Sequence, residues 1–183
     1  MNIRVIKAQV EPVHVEKENV APAEPNNGKQ QLIQELIAQY NSELETAMNY
    51  LAISENLKGM KNEIVREALA ADVAVEMGHA KTIAARLHIM GVTVPCSLCF
   101  KAEQSYFKKE LHDDVVQVIK GVIRAEKGAV ARYKKIISLA DGLKDWSTVD
   151  EMSPILTDEE GHLREFLDFY QEFKTAQSPT VGE

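Results

Sequence analysis

Residues 69–87 read LAADVAVEMGHAKTIAARL, and this stretch decides the fold. Leu69, Asp72, Glu76, His79, Ile83 and Leu87 recur at steps of three and four, so they line one face of an α-helix. The seam is apolar towards both ends and carries Glu76 and His79 in its middle. A carboxylate at a helix-packing position is costly, because desolvation disfavours its charged form. The helix runs from about Asn62 to Met90, and Gly91 followed by Pro95 reads as its C-terminal stop.

Three more seams surround this one. Leu36, Tyr40, Glu43, Ala47, Tyr50 and Ser54 place a first helix between Lys29 and Gly59. Ile119, Val122, Glu126, Ala129, Tyr133 and Ile137 (or its neighbour Ile136) define a third over about 112–140. Met152, Ile155, Glu159, His162, Phe166 and Phe169 define a fourth over about 147–174. Pro154 either kinks that helix or, with Ser153, forms its cap and first residue. Residues 91–111 make a long connection that holds Cys96-Ser97-Leu98-Cys99 and the aromatic pair Tyr106-Phe107. The body of the chain has no strand pattern. The expected fold is all-α: a four-helix bundle with a long crossover between its second and third helices. Residues 1–28, interrupted by Pro12, Pro22 and Pro25, read as an N-terminal tail that is either flexible or docked on a neighbour. The bundle then covers 29–174, and 175–183 form a C-terminal tail.

The composition narrows the function. The chain has 183 residues, 21 basic and 28 acidic, for a formal net charge of -7, and 45% are hydrophobic. That length buries a full single-domain core, and the apolar fraction excludes a disordered chain. The acidic balance argues against nucleic acid or an anionic membrane as partner. No apolar run has the length of a signal peptide or a membrane span, so the expected compartment is the cytoplasm. There the two cysteines, Cys96 and Cys99, are a thiol, metal-binding or redox pair rather than a structural bridge.

Each seam places ionisable groups where a bundle wants Leu or Ile: Glu43, then Glu76 and His79, then Glu126, then Glu159 and His162. Six ligand-type groups in one core layer become tolerable when cations sit between them. Glu and His at i and i+3 share a helix face, so both reach one centre. Two such pairs and two single glutamates supply four carboxylates and two imidazoles, a suitable shell for two iron or manganese ions. The chain also repeats itself. Glu43 to Glu76 and Glu126 to Glu159 are both 33 residues, and each single glutamate is followed by a tyrosine 7 residues on, Tyr50 and Tyr133. A further Glu-x-x-His, Glu11 to His14, lies in the proline-broken tail and has no such partner.

The segments SELETAMNYLA (42–52), VEMGHA (75–80), RAEKGAVARY (124–133) and ILTDEEGHLREF (155–166) resemble the ferritin-like superfamily, most closely bacterioferritin and the bacterioferritin-type mini-ferritins. The resemblance covers about residues 30–173. It implies that Glu43, Glu76, His79, Glu126, Glu159 and His162 are di-iron ligands, with Glu76 and Glu159 bridging. It implies a ferroxidase, which oxidises ferrous iron with oxygen or hydrogen peroxide and stores or detoxifies the product within a homo-oligomer, either a dimer or a hollow shell. Tyr50 stands where ferritins keep a tyrosine beside the site, as hydrogen-bond donor or electron source. Tyr133 reads as core packing with a bonded hydroxyl. Met77 occupies the position at which bacterioferritin binds haem across a two-fold interface; otherwise it is a surface methionine.

The sequence departs from these relatives in three ways. Only about ten residues follow the fourth helix, where ferritin and bacterioferritin carry a short fifth helix, so the expected assembly extends to a smaller shell or a simple dimer. Mini-ferritin relatives carry cysteines near the site, but the position two after the third-helix ligand is Gly128 here, so their pairing does not transfer. Ala129 stands where rubrerythrins have an extra glutamate, and there is no four-cysteine rubredoxin module. Two other functions stay open: a di-iron peroxide reductase or oxygenase with Cys96 and Cys99 as electron relay, and a metal-stabilised structural or cargo bundle. Asp72 either guides cations or is solvated near the bundle end, and His88 and His112 read as surface histidines.

Overall fold

The structure is a computed structural model, and it describes residues 27–107 and 114–176. Residues 1–26, 108–113 (with His112) and 177–183 lie outside the described part, and with them nearly all of the two expected tails. Four long helices make up the bundle: α1 (Asn27–Asn56), α2 (Glu63–Ile89), α3 (Val115–Gly142) and α4 (Trp146–Ala176). The chain is all-α, with α1 packed along α2, α3 along α4, and the two hairpins joined through α1–α3 and α2–α4.

The helix ends follow local chemistry. At Gly91 (φ 77) α2 stops, with Val92 N–H donating to the Leu87 carbonyl at 2.9 Å, as the left-handed glycine after a helix allows. The start of α3 at Val115, rather than 112, has a clear cause. The Asp114 carboxylate accepts from the backbone N–H groups of Val116 and Gln117, both at 3.1 Å, and so caps the helix. The alternative in which Ser153-Pro154 opens the fourth helix is corrected: α4 begins at Trp146, and Pro154 sits inside it on the exposed side. Solvent can hydrate the carbonyl that Pro154 leaves unpaired, and Ser153 Oγ turns back to the Val149 carbonyl at 2.7 Å.

The predicted seams are the buried faces. Two apolar clusters result. One gathers Tyr50, Ile53 and Leu57 with Val65, Leu69, Ile119, Val122, Phe166 and Phe169. The other gathers Leu32, Leu36, Ile83, Leu87, Tyr133, Ile136, Met152 and Ile155. The second cluster holds the start of α1 and the end of α2, together with the end of α3 and the start of α4. The glutamates and histidines of the seams lie between the clusters. At one end, buried Arg86 ties α2 to the α3–α4 turn through Thr148 Oγ1 (2.7 Å) and Asp145 (2.5 Å).

Since α2 ends at one cluster and α3 begins at the other, the crossover must travel the length of the bundle. It includes a 3-10 turn, Ser97–Cys99, and is fastened to α1. Buried Glu45 accepts from the backbone N–H groups of Glu103 and Gln104, each at 2.8 Å at closest. Gln104 in turn donates to Thr46 Oγ1 at 2.7 Å and accepts from Asn49 at 2.9 Å. Sequence periodicity assigns Glu45 no role because it lies beside the seam, not in it. Replacing Glu45 by Ala should strand two strap N–H groups and cost about 1–3 kcal/mol. Limited proteolysis should then cut within 92–107 while the far-ultraviolet dichroism stays helical.

Candidate metal centre

Two overlapping ligand sets occupy the polar layer. Glu43, Glu76, His79 and Glu159 each offer an atom within 4.8 Å of the others, and so do Glu76, Glu126, Glu159 and His162. Glu76 and Glu159 belong to both sets. All four glutamates are at most 1% exposed. His79 Nδ1 lies 2.9 Å from Glu159 and 3.6 Å from Glu76, and His162 Nδ1 lies 3.3 Å from Glu76. Both oxygens of Glu76, one of Glu159 and both Nδ1 atoms are buried without a hydrogen bond. Unpaired buried polar atoms are rare, and here they face one another. A donor set of carboxylate oxygens and imidazole nitrogens around two centres suits a pair of iron or manganese ions.

The outer atoms of these groups are held. Tyr50 donates to Glu126 across the hairpins, and Tyr133 donates to Glu43 at 2.5 Å. Gln39 Nε2 adds a bond to Glu43 at 2.6 Å. Burial raises both phenols well above their ordinary value, and Glu126 beside Tyr50 and Glu43 beside Tyr133 raise them further, so both stay protonated donors. Each histidine turns Nε2 to an aspartate: His79 to Asp158 at 3.4 Å and His162 to Asp72 at 3.7 Å. Such outer carboxylates orient an imidazole with the other nitrogen free for metal. Phe107 of the crossover meets the Tyr50 ring edge-on, with centroids 6.3 Å apart, and presses so close to Gly121 that a Cβ there would lie 2.7 Å from the ring.

The electrostatics of the layer show how protons would balance its charge in place of cations. Burial pushes the carboxyls of Glu43 and Glu126 well above the usual range, and repulsion from Glu76 and Glu159 respectively adds to this. Burial also pushes Glu159 up, to about 7. Burial acts on Glu76 in the same sense, but the positive imidazoles of His162 and His79 beside it outweigh it and hold that carboxyl at about 2. Burial would lower the histidines; contacts with Glu159 and Glu76 instead raise His79 to about 11, and Glu76 and Asp72 raise His162 to about 9.

The fold and this geometry agree with a family model. The ferritin-like domain matches residues 33–176. The chain belongs to the ferritin family. No curated sequence matches it. Solved structures share the fold at low identity. A ferritin-like diiron-carboxylate protein from Bacillus anthracis is 19% identical, with a TM-score of 0.70, over 78% of this chain and 97% of that one. A dodecameric thioferritin, the bacterioferritin-related protein from Bacteroides fragilis, is 21% identical, with a TM-score of 0.71, over 84% and 92%. A protein from Xanthomonas campestris is 14% identical, with a TM-score of 0.69, over 82% and 94%.

In this ferritin-like bundle the six residues singled out by the seams converge on one layer. Tyr50 donates to Glu126 rather than to one of the shared carboxylates. Met77 is 49% exposed on the outer side of α2, and Cys96, Cys99 and His88 are exposed away from the layer. No described helix is long and apolar enough to cross a membrane. Sequence reading overlooked Gln39 and Asp158. Gln39 is one turn before Glu43, and Asp158 directly precedes Glu159, so each was findable as a polar neighbour of a seam ligand.

The pKa shifts set a pH dependence. Glu159 and His162 are raised from 4.5 and 6.5 to about 7 and about 9, so each favours the folded state in its protonated form. Their contribution is complete below the unfolded values and is lost as pH rises through the folded ones. The melting temperature of the protein without added metal should therefore fall as pH rises from roughly 4.5 to 9. Manganese(II) uptake, read by calorimetry in buffers of different ionisation enthalpy, should release protons and tighten over the same window. Saturating metal should raise the melting temperature, with about 2.7 kcal/mol gained at a hundredfold excess over Kd.

Proposed function

We propose that this chain is a ferroxidase, which binds two ferrous ions as substrate, oxidises them with oxygen or hydrogen peroxide, and stores or detoxifies the ferric product. The carrying observation is the pair of overlapping donor sets that share Glu76 and Glu159 and leave their inward atoms without hydrogen bonds. In this reading Glu43 and His79 hold one ion terminally, Glu126 and His162 hold the other, and Glu76 and Glu159 lie between.

The residues divide the work. Four carboxylates balance the charge of two divalent cations and favour the harder ferric product. Tyr50 and Tyr133 each occupy one oxygen of a terminal carboxylate and direct the other inward. Asp158 bonds His79 Nε2 and Asp72 faces His162 Nε2, which favours both imidazoles with Nδ1 towards the layer. Apolar clusters above and below keep bulk water out and strengthen these interactions. The Bacteroides fragilis protein is described as dodecameric, which supports a homo-oligomer here too.

Replacing Glu43 and Glu126 together by Ala should slow ferrous oxidation, followed by the absorbance of the ferric product. The loss should exceed the roughly 10- to 100-fold that removing outer partners costs. Helical dichroism should be retained. Rapid oxidation by the double variant would overturn the assignment.

A further inference from the structure

We propose that Cys96 and Cys99 are a peroxide-reactive dithiol that closes into a reversible intrachain disulfide on the outer face of the bundle. The turn is already formed: Cys99 N–H donates to the Cys96 carbonyl at 2.9 Å, and Phe100 N–H to the Ser97 carbonyl at 3.3 Å. A hydrogen-bonded turn of this kind keeps its end Cα atoms within about 7 Å. That overlaps the separation of about 4.4–6.8 Å which a disulfide spans. Both thiols are free and exposed, and Leu98 between them is 93% exposed, so none of the described residues packs over the turn. Cys96 and Phe100 on either side are extended, so closing the ring breaks no long helix.

The position of the turn is fixed. Pro95, Cys96 and Phe100 line a groove of about 290 Å³ with Tyr40, Leu44 and Met48 of α1. Just downstream, the Glu45 latch holds the strap. The dithiol therefore stands on the outer side of the α1 turns that present Glu43 to the metal centre, a helix diameter of about 10–12 Å away. A metal site is the weaker use of these sulfurs. Zinc takes four ligands. Among the described residues neither cysteine joins a group of three metal-binding side chains.

The chemistry balances with hydrogen peroxide as the oxidant. One thiolate attacks the O–O bond and becomes a sulfenic acid, and the expelled hydroxide takes a proton to leave as water. The second thiolate attacks the sulfenic sulfur, the S–S bond forms, and a second water leaves. Two thiols and one peroxide give one disulfide and two waters, and a dithiol reductant restores the thiols by exchange. The pair thus consumes peroxide outside the bundle. Its relevance to iron rests on the ferroxidase reading, but the disulfide itself does not.

The test titrates reduced full-length protein with hydrogen peroxide and follows free thiols and intact mass. Both thiols should disappear together at one peroxide per chain, with the loss of two hydrogens, no covalent dimer on a non-reducing gel, and full recovery in dithiothreitol. Cys96→Ser and Cys99→Ser should each stop at a sulfenic acid that a 1,3-dione reagent traps. The Glu43→Ala/Glu126→Ala protein should form the disulfide even though its ferrous oxidation is lost, which separates this proposal from the ferroxidase. Thiols that survive, disulfides between chains, or bound zinc that protects both sulfurs would each overturn it.

Discussion

The whole molecule depends on one electrostatic constraint, the placing of four carboxylates and two imidazoles inside an apolar bundle. An unpaired buried ion costs several kcal/mol even after relaxation. A domain has only about 5–15 kcal/mol of net stability in all. Six such groups cannot sit there as bare charges. The centre must hold either protons or cations, and its surroundings fit both states. Without metal, the raised carboxyls of Glu43 and Glu126 and the raised imidazoles bring the layer towards neutrality. Two divalent cations would do the same in exchange for those protons. The apolar clusters on either side bear the cost, because their packing is what holds the ligands at a fixed separation when neither partner is ideal.

An internal two-fold organises this layer. Glu43, Tyr50, Glu76 and His79 correspond to Glu126, Tyr133, Glu159 and His162, each pair separated by 83 residues. The tyrosine bonds run crosswise, so each hairpin orients the single glutamate of the other. The layer is thus a clamp between hairpins as well as a candidate metal site. The symmetry stops at the next shell. Gln39 corresponds to Val122, Asp158 to Val75, and Asp72 to Ile155. Glu43 accepts two side-chain donors where Glu126 accepts one. Asp72 is buried whereas Asp158 is exposed. The two half-sites are chemically unequal although their ligands match.

The sequence was legible where a residue obeyed the helical period. The seam residues Leu36, Glu43, Tyr50, Leu69, Glu76, Ile83, Val122, Glu126, Glu159 and Phe166 are all buried, because the 3.6-residue repeat maps directly onto one face of a packed helix. The i, i+3 pairing of glutamate and histidine carried the site for the same reason. What stayed hidden obeyed no period. Glu45 is buried because a strap lies over it, and only the tertiary route of that strap gives its carboxylate two N–H partners. Asp158 adds only a charge next to a ligand, and nothing local says that the histidine it faces is His79, on another helix. Pro154 leaves two readings open because proline is best tolerated at a helix start, whereas here an exposed interior position accommodates it.

The crossover shows how topology generates a further layer of structure. Its ends lie at opposite apolar clusters, so it must span the bundle, roughly 40 Å for helices of this length at 1.5 Å per residue. Extended chain covers that distance in about 12 residues. The segment from Met90 to Asp114 is about twice as long. The surplus is spent on three local structures: the cysteine turn, the Glu45 latch, and the aromatic stretch that ends in Phe107. The last of these reaches the centre. Phe107 is wedged between Tyr50 and a helix position where only glycine leaves room, so the strap packs directly against the donor that orients Glu126. A strap that lifted off α1 would withdraw Phe107 from Tyr50 and loosen the phenol that directs one terminal carboxylate. The connection that the fold requires for geometric reasons is thereby also a support of the metal centre.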